Sequence, residues 1–240
     1  MNFYIKMLGA EDSLKVHLDL PFDKKNFALL ASPISTRYKD RNNNLMDIAD
    51  LIHEFINAKK GNYFIFFPSF SYLSDVYEYY KDLYNDDILV QERSMSPIER
   101  HKFLQNFTYE SKKTAFLVLG GIFSEGVDLK GDRLIGSMVI SVGMPGVSDE
   151  RNLIKTHFDQ ISHNGFDYSY TYPGLNKIFQ AAGRLIRGEK DKGIIYLIDD
   201  RFLWDKYRRL YPRHWSNLIE VKNKKELKNL VEKFWNEENK

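Results

Sequence analysis

QAAGRLIRGEKDKGIIYLIDD, residues 180–200, decides the fold, because a stretch with helical spacing runs through a glycine turn straight into a strand. Gln180, Arg184 and Arg187 stand four and three residues apart, so on a continuous helix their side chains share one face. A guanidinium is always charged and offers a planar fork of donors that matches phosphate oxygens. Two of them beside a Gln amide therefore suggest a grip on the phosphate end of a nucleotide. Gly183 would let a backbone or ligand approach closely. The other reading of the same residues is a solvated helix face whose arginines pair with nearby acids. The segment that follows, Ile194, Ile195, Tyr196, Leu197 and Ile198, is apolar without alternation, which is what a strand covered on both faces requires.

Working outward, strand and helix alternate along the chain. Residues 27–31 (FALLA) form a strand candidate. Residues 45–58 follow, with Leu45, Ile48, Ala49, Ile52, Phe55 and Ile56 at helical spacing. Residues 63–67 (YFIFF) are unbroken and aromatic. Pro68-Ser69 ends them, and Ser71 or Ser74 is a cap for a helix to about Tyr84. Residues 88–90, a capped helix from Ser96-Pro97 to Phe107, residues 115–119 (AFLVL) and residues 134–142 (LIGSMVISV) continue the pattern. The six strands predict an α/β fold, a mostly parallel sheet flanked by helices, with ligands gathering beyond the carboxyl ends of the strands. Residues 148–172 read as a long, less regular connection, and 202–240 as helical decoration. All 240 residues are expected to form one domain, with 1–26 as a joining segment.

Composition narrows the class. The chain is 43% apolar and 15% aromatic, enough for a substantial core. Its 35 Lys and Arg against 33 Asp and Glu give a net charge of +2, so any nucleic-acid surface must be local. There is no cysteine, which excludes disulfides, Cys-ligated zinc and an iron–sulfur cluster held by this chain. The six histidines have no ligand spacing, and no metal site is expected. No stretch approaches ~18 uninterrupted apolar residues, so no membrane partner is expected. The expected location is cytoplasmic, on the nucleoid if the protein is bacterial.

The chemistry-bearing residues fall in the loops. Residues 120–129 (GGIFSEGVDL) follow a strand and combine glycines, a hydroxyl and two carboxylates. Ser124 suits a phosphate and Asp128 a ribose hydroxyl, while the glycines permit close approach. An ordinary strand-to-helix turn with Ser and Asp as caps is the competing reading. Ser69, again just past a strand, could hold a phosphate or cap a helix. Asp199-Asp200 after the last strand reads as structural, pairing with Arg201 or capping the next helix.

In this order and at these distances, FFPSFSYL, LGGIFSEGVDLKGDRLIG and QAAGRLIRGEKDKGIIYLIDDRF resemble motifs IV, V and VI of the second RecA-like motor domain of DinG/XPD-type superfamily 2 DNA helicases. LPFDKKNFALLASPISTRYKDR and YRRLYPRHW extend the likeness over nearly the whole chain. The resemblance implies a RecA-like fold, ATP with Mg²⁺ clamped against a first RecA-like domain of the same polypeptide, and single-stranded DNA crossing both. It implies that Arg187 is the arginine finger, Arg184 a second phosphate contact and Gln180 an orienting amide. Glu125, Gly126, Asp128 and Gly183 would face the nucleotide, and Ser69, Gly121 and Ser124 the DNA. No G-x-x-x-x-G-K-[S/T] phosphate loop occurs, so the first domain would have to hold the β-phosphate and Mg²⁺. The chain is therefore expected to be the C-terminal part of a longer helicase, inactive alone, unwinding 5′ to 3′ in repair or replication.

Two other classes stay open. One is a binding module of the same fold without catalysis. The other is a metal-dependent hydrolase using Glu125, Asp128 and Asp199, against which their spacing on different loops counts. The basic side chains Lys206, Arg208, Arg209, Arg213, Lys222, Lys224 and Lys225 suit a phosphate backbone or a solvated face. The aromatic residues from Phe158 to Tyr172 are expected to pack.

Overall fold

The aromatic run Tyr63–Phe67 forms a strand in which every residue is buried. The computed structural model describes residues 23–124, 126–186, 188 and 191–236, together with 5, 8–14 and 16. Among these the strands are β1 (Phe27–Ser32), β2 (Tyr63–Phe67), β3 (Ile88–Val90), β4 (Thr114–Val118), β5 (Gly136–Ile140), β6 (Gly193–Ile198) and β7 (Leu218–Glu220). They form one sheet in the order β3-β4-β2-β5-β6-β1-β7, and every pairing is parallel. The helices are α1 (Leu45–Ala58), α2 (Phe70–Leu83), α3 (Pro97–Gln105), α4 (Asp149–Ser162), α5 (Tyr172–Ala182), α6 (Asp205–Arg208) and α7 (Lys224–Asn236).

Successive strand residues point to opposite faces, so the unbroken apolar strands build two cores at once. Phe64 and Phe66 join Leu117, Ile195 and Leu197 on one face, under Phe103 of α3 and Leu175 and Ile178 of α5. Tyr63, Ile65 and Phe67 join Phe116 and Tyr196 on the other, under Ile52 and Phe55 of α1, Val76 of α2 and Val231 of α7. Burying a large apolar side chain in this way stabilises by roughly 1.5–3 kcal/mol each.

The sequence reading differs from the structure at four places. Of the serines read as caps, Ser69 and not Ser71 or Ser74 caps α2, accepting the Tyr72 N–H at 3.3 Å, because the helix begins as soon as the strand ends. A seventh strand, β7, lies parallel to β1 at the sheet edge within the stretch read as helical; it is three residues long and too short to show periodicity. Residues 149–162 form a regular helix capped by Ser148, and none of its residues is buried, so the apolar periodicity that marks a covered helix is weak there. Finally, α5 ends at Ala182, so Arg184 lies in the turn after it rather than on a continuous helix face. Leu185 is drawn inward instead, to where a Cβ on Gly193 would meet its side chain at 2.7 Å.

The start of α5 is fixed by backbone contact. A Cβ on Gly174 would stand 2.7 Å from the Val142 carbonyl oxygen and 3.1 Å from the Met144 nitrogen, and Gly143 adopts a φ of +64° across from it. Only glycine lets the helix and the loop after β5 approach this closely. Gly174→Ala is expected to destabilise the fold by ~1–3 kcal/mol, as overpacking does. Chemical denaturation checks this, and an unchanged midpoint would show that the helix start is not tightly seated.

Candidate functional site

The loop after β4 and the turn after α5 meet. The Arg184 Nε donates to the Ser124 carbonyl at 3.3 Å, which brings the second and third sequence motifs together. The loop is wound on itself: the Gly120 N–H donates to the Ser124 hydroxyl at 2.7 Å, and the Gly121 N–H to the Val118 carbonyl at 2.9 Å. Ser124 is buried, and its hydroxyl holds the turn rather than facing solvent. Gly120 (φ +76°) and Gly126 (φ +67°) take left-handed conformations that favour glycine. Gly121 has no room for a side chain, since a Cβ would lie 2.9 Å from the Val118 carbonyl and 3.1 Å from the Gln91 amide.

Gly126 and Asp128 are exposed, as is Gln180. Gly183 is exposed and also borders an apolar cleft with Phe27, Ile186 and Trp215. Arg187 and Glu125 lie outside the described residues. Two further residues belong to this constellation, and isolated sequence reading passes over both. Lys177 stands three residues before Gln180, and its Nζ would be 3.3 Å from a Cβ on Gly120, so its chain lies along the glycine loop. Asp191 is buried and accepts the Gly188 N–H at 2.8 Å and the Gly131 N–H at 3.2 Å, tying the turn after α5 to the loop after β4. The helical spacing of Lys177 with Gln180 and Arg184 was a usable signal; Asp191 sits in a charged run that gives none.

A guanidinium beside a glycine turn, with the Lys177 chain along the same loop, can donate to phosphate oxygens. Among the described residues no three His, Asp or Glu side chains group as metal ligands. Asp199 is fully buried and paired, so it does not join Asp128 in a metal site.

Ser69 lies past the carboxyl end of β2, and the segment after β1 runs along the same edge. Asp199, following β6, organises that segment. Its carboxylate accepts from Arg201 Nε at 2.6 Å and Nη2 at 2.7 Å, and also from the N–H and hydroxyl of Thr36. Burial alone would push this carboxyl up, but the Arg201 guanidinium and the Thr36 bonds outweigh it and hold it below its ordinary 3.8. Asp200 takes the Arg37 guanidinium through two bonds, at 2.8 and 3.0 Å. Both acids are therefore structural, as the sequence implied. Part of the basic C-terminal run is paired too, Lys206 with Asp167 at 2.7 Å and Lys224 with Asp50. Tyr170 packs, buried against Phe166, with ring centroids 5.2 Å apart.

An all-parallel sheet flanked by helices, in which the glycine loop leaving β4 is met by the arginine turn that leads into β6, is a RecA-like fold. Residues 52–218 match the helicase C-terminal domain family, and the chain belongs to that family, of the kind found in DinG- and XPD-like helicases. It is 26% identical to the ATP-dependent DNA helicase YoaA of Haemophilus influenzae over 90% of this chain and 33% of that one. It is 30% identical to the general transcription and DNA repair factor IIH helicase subunit XPD of Dictyostelium discoideum over 57% of this chain and 19% of that one. The chain thus spans about a third or less of the length of the curated relatives it matches. Among solved structures it superposes on an apo XPD with a TM-score of 0.66 at 19% identity, covering 82% of this chain and 40% of that one. An Xpd4 structure from S. tokodaii gives 0.63 at 15% identity, over 88% and 41%. These likenesses establish the RecA-like fold. Among the described residues no helix is long and apolar enough to cross a membrane.

Replacing Asp199 by Asn strips a buried guanidinium of its counter-charge and is expected to cost about 3–5 kcal/mol. Because the folded carboxyl sits below its unfolded value, its contribution is complete above pH ~4 and is lost as pH falls through the folded value. Denaturant unfolding from pH 7 down to pH 3 tests both points. A variant as stable as wild type at pH 7 would refute the pairing's importance.

Proposed function

We propose that this chain is the second motor domain of an ATP-dependent DNA helicase, working beside a first RecA-like domain of the same polypeptide. The observation that carries the reading is the contact of Arg184 with the Ser124 carbonyl, which joins the second and third sequence motifs and supports a coupling between them. Bound ATP, with Mg²⁺ held by the first domain, supplies the phosphoanhydride whose hydrolysis drives movement.

Within this chain, Arg187 is the arginine finger that stabilises charge on the transferring phosphoryl group. Arg184 is a second phosphate contact, and Gln180 orients the site. Glu125, Gly126 and Asp128 face the nucleotide from the glycine loop, and Gly183 is the turn that lets the arginines leave the helix. Gly121 and Ser124 shape the part of that loop turned to the DNA backbone, and Ser69 meets a DNA phosphate from the start of α2. A change in the hold on the phosphates at Arg184 is transmitted through the Ser124 carbonyl to the loop on the DNA. Movement is 5′ to 3′, and the setting is repair or replication.

The test is ATP hydrolysis with and without single-stranded DNA, comparing this chain alone with the full-length protein. Turnover is expected only in the full-length protein and stimulated by DNA. Arg187→Ala is expected to lower it by ~10³ or more, and Arg187→Lys nearly as much, since Lys lacks the planar fork, while DNA binding persists. Turnover by the isolated chain, or a wild-type rate in Arg187→Ala, would overturn the assignment. Ser124→Ala removes the hydroxyl that closes the glycine turn, and is expected to reduce DNA stimulation more than basal hydrolysis. Equal stimulation in wild type and variant would count against transmission through this loop.

A further inference from the structure

The carboxyl edge carries an aromatic side chain that the fold does not use. Trp204, just after the short helical turn that follows β6, is 47% exposed, whereas Trp215 is 3% exposed and Trp235 packs against the second core. Leaving half an indole in water forgoes hydrophobic burial, yet this ring is held in place. The Arg37 guanidinium lies 5.5 Å from its centroid, and Asp200 fixes that guanidinium through two bonds. Tyr207 meets the indole edge-on at 6.3 Å and 75°.

The segment that delivers Arg37 is itself pinned. Asp199 holds Thr36, Asp40 accepts the Ser35 hydroxyl at 2.5 Å, and the Asn44 amide donates to the Ser35 carbonyl at 2.7 Å. Tyr38, the next residue along, is 89% exposed. Arg41 bridges to the neighbouring motif, its guanidinium 4.6 Å over the ring of Tyr72 in the first turn of α2, which Ser69 caps. In the sheet only β5 separates β6 from β2, so the strand ends from which the Trp204 and Ser69 segments leave stand about two strand spacings, ~10 Å, apart on one edge.

We propose that Trp204 is a stacking ledge for an unpaired base of single-stranded nucleic acid, and that Arg37, itself fixed by Asp200, holds the indole in its orientation. This rests on the reading that single-stranded DNA crosses the carboxyl edge past Ser69. A flat ring accepts any base, which suits a motor that must pass over every sequence. Trp, Tyr and Arg also anchor protein interfaces, so the test must separate bases from other partners.

The full-length protein is titrated, at one fixed salt concentration, with an oligothymidylate and with a length-matched abasic deoxyribose-phosphate oligomer. Trp204→Ala is expected to weaken binding of the thymidylate by roughly 5- to 150-fold, the span of one lost base stack. It should leave the abasic oligomer within twofold of wild type. Trp204→Phe, which keeps a stacking face, is expected to bind nearly as wild type does. Equal losses on both oligomers would overturn the proposal in favour of a phosphate or structural role. No loss on either would assign the exposed indole to a different surface, such as a protein contact, and overturn it as well. Wild-type protein that bound neither oligomer would sink the DNA-track reading itself and the ledge with it, whereas normal DNA-stimulated hydrolysis with no effect of Trp204→Ala on binding would sink the ledge alone.

Discussion

Five consecutive buried side chains in Tyr63–Phe67 cannot be served by a single core. A strand of this kind needs a layer above and a layer below, and the same demand holds for Gly193–Ile198 and Gly136–Ile140, also buried throughout. Satisfying it forces the connections to cross over as helices on both faces, which makes the sheet parallel and gathers the strand ends on one edge. The loops after β1, β2, β4 and β6 thereby become neighbours although the sequence spreads them over more than a hundred residues, and the arginine turn that leads into β6 meets the one after β4. The glycine loop and the arginine turn are anchored on this core in their turn, through Phe123, Val127 and Leu129 in the one and Leu185 in the other.

Around these loops polar contacts complete the organisation. Asp199 joins the end of β6 to the segment after β1, Asp191 joins the two loops nearest the proposed phosphate site, and Ser124 closes the glycine turn on itself. Each of these groups is buried and each has its hydrogen bonds met, which a low-dielectric setting makes obligatory. A site built in this way is arranged before any ligand arrives.

The fold was legible because its signals were long. The unbroken runs of β2, β4 and β6 and the periodicity of α1 span enough residues for their period to show. What was missed was short or tertiary. Leu218–Glu220 becomes a strand only because β1 offers it an edge, and α5 stops at Ala182 because Leu185 must reach the core. Of the candidate site, the glycine positions could be read from their type and the structural role of Asp199 from its neighbours. The reach of Lys177 over Gly120 and the bond of Asp191 to Gly131 could not, since each joins residues distant in the chain, and the inward turn of the Ser124 hydroxyl could not, since its residue type fits either direction.

The glycine contact at the head of α5 makes that helix mechanically one-ended. Gly174 abuts the backbone after β5, so this end behaves as a pivot with no compliant side chain to absorb displacement, while the other end finishes in the turn that carries Arg184. Eleven residues at 1.5 Å each give a lever of about 16 Å, over which a tilt of roughly 5° moves the arginine end by about 1.4 Å. That travel is enough to break or make a hydrogen bond of the length seen between Arg184 and Ser124. The sheet edge and the arginine turn are thus connected like a bearing and its arm, and the bearing has to be backbone against backbone for the arm to have a defined stroke.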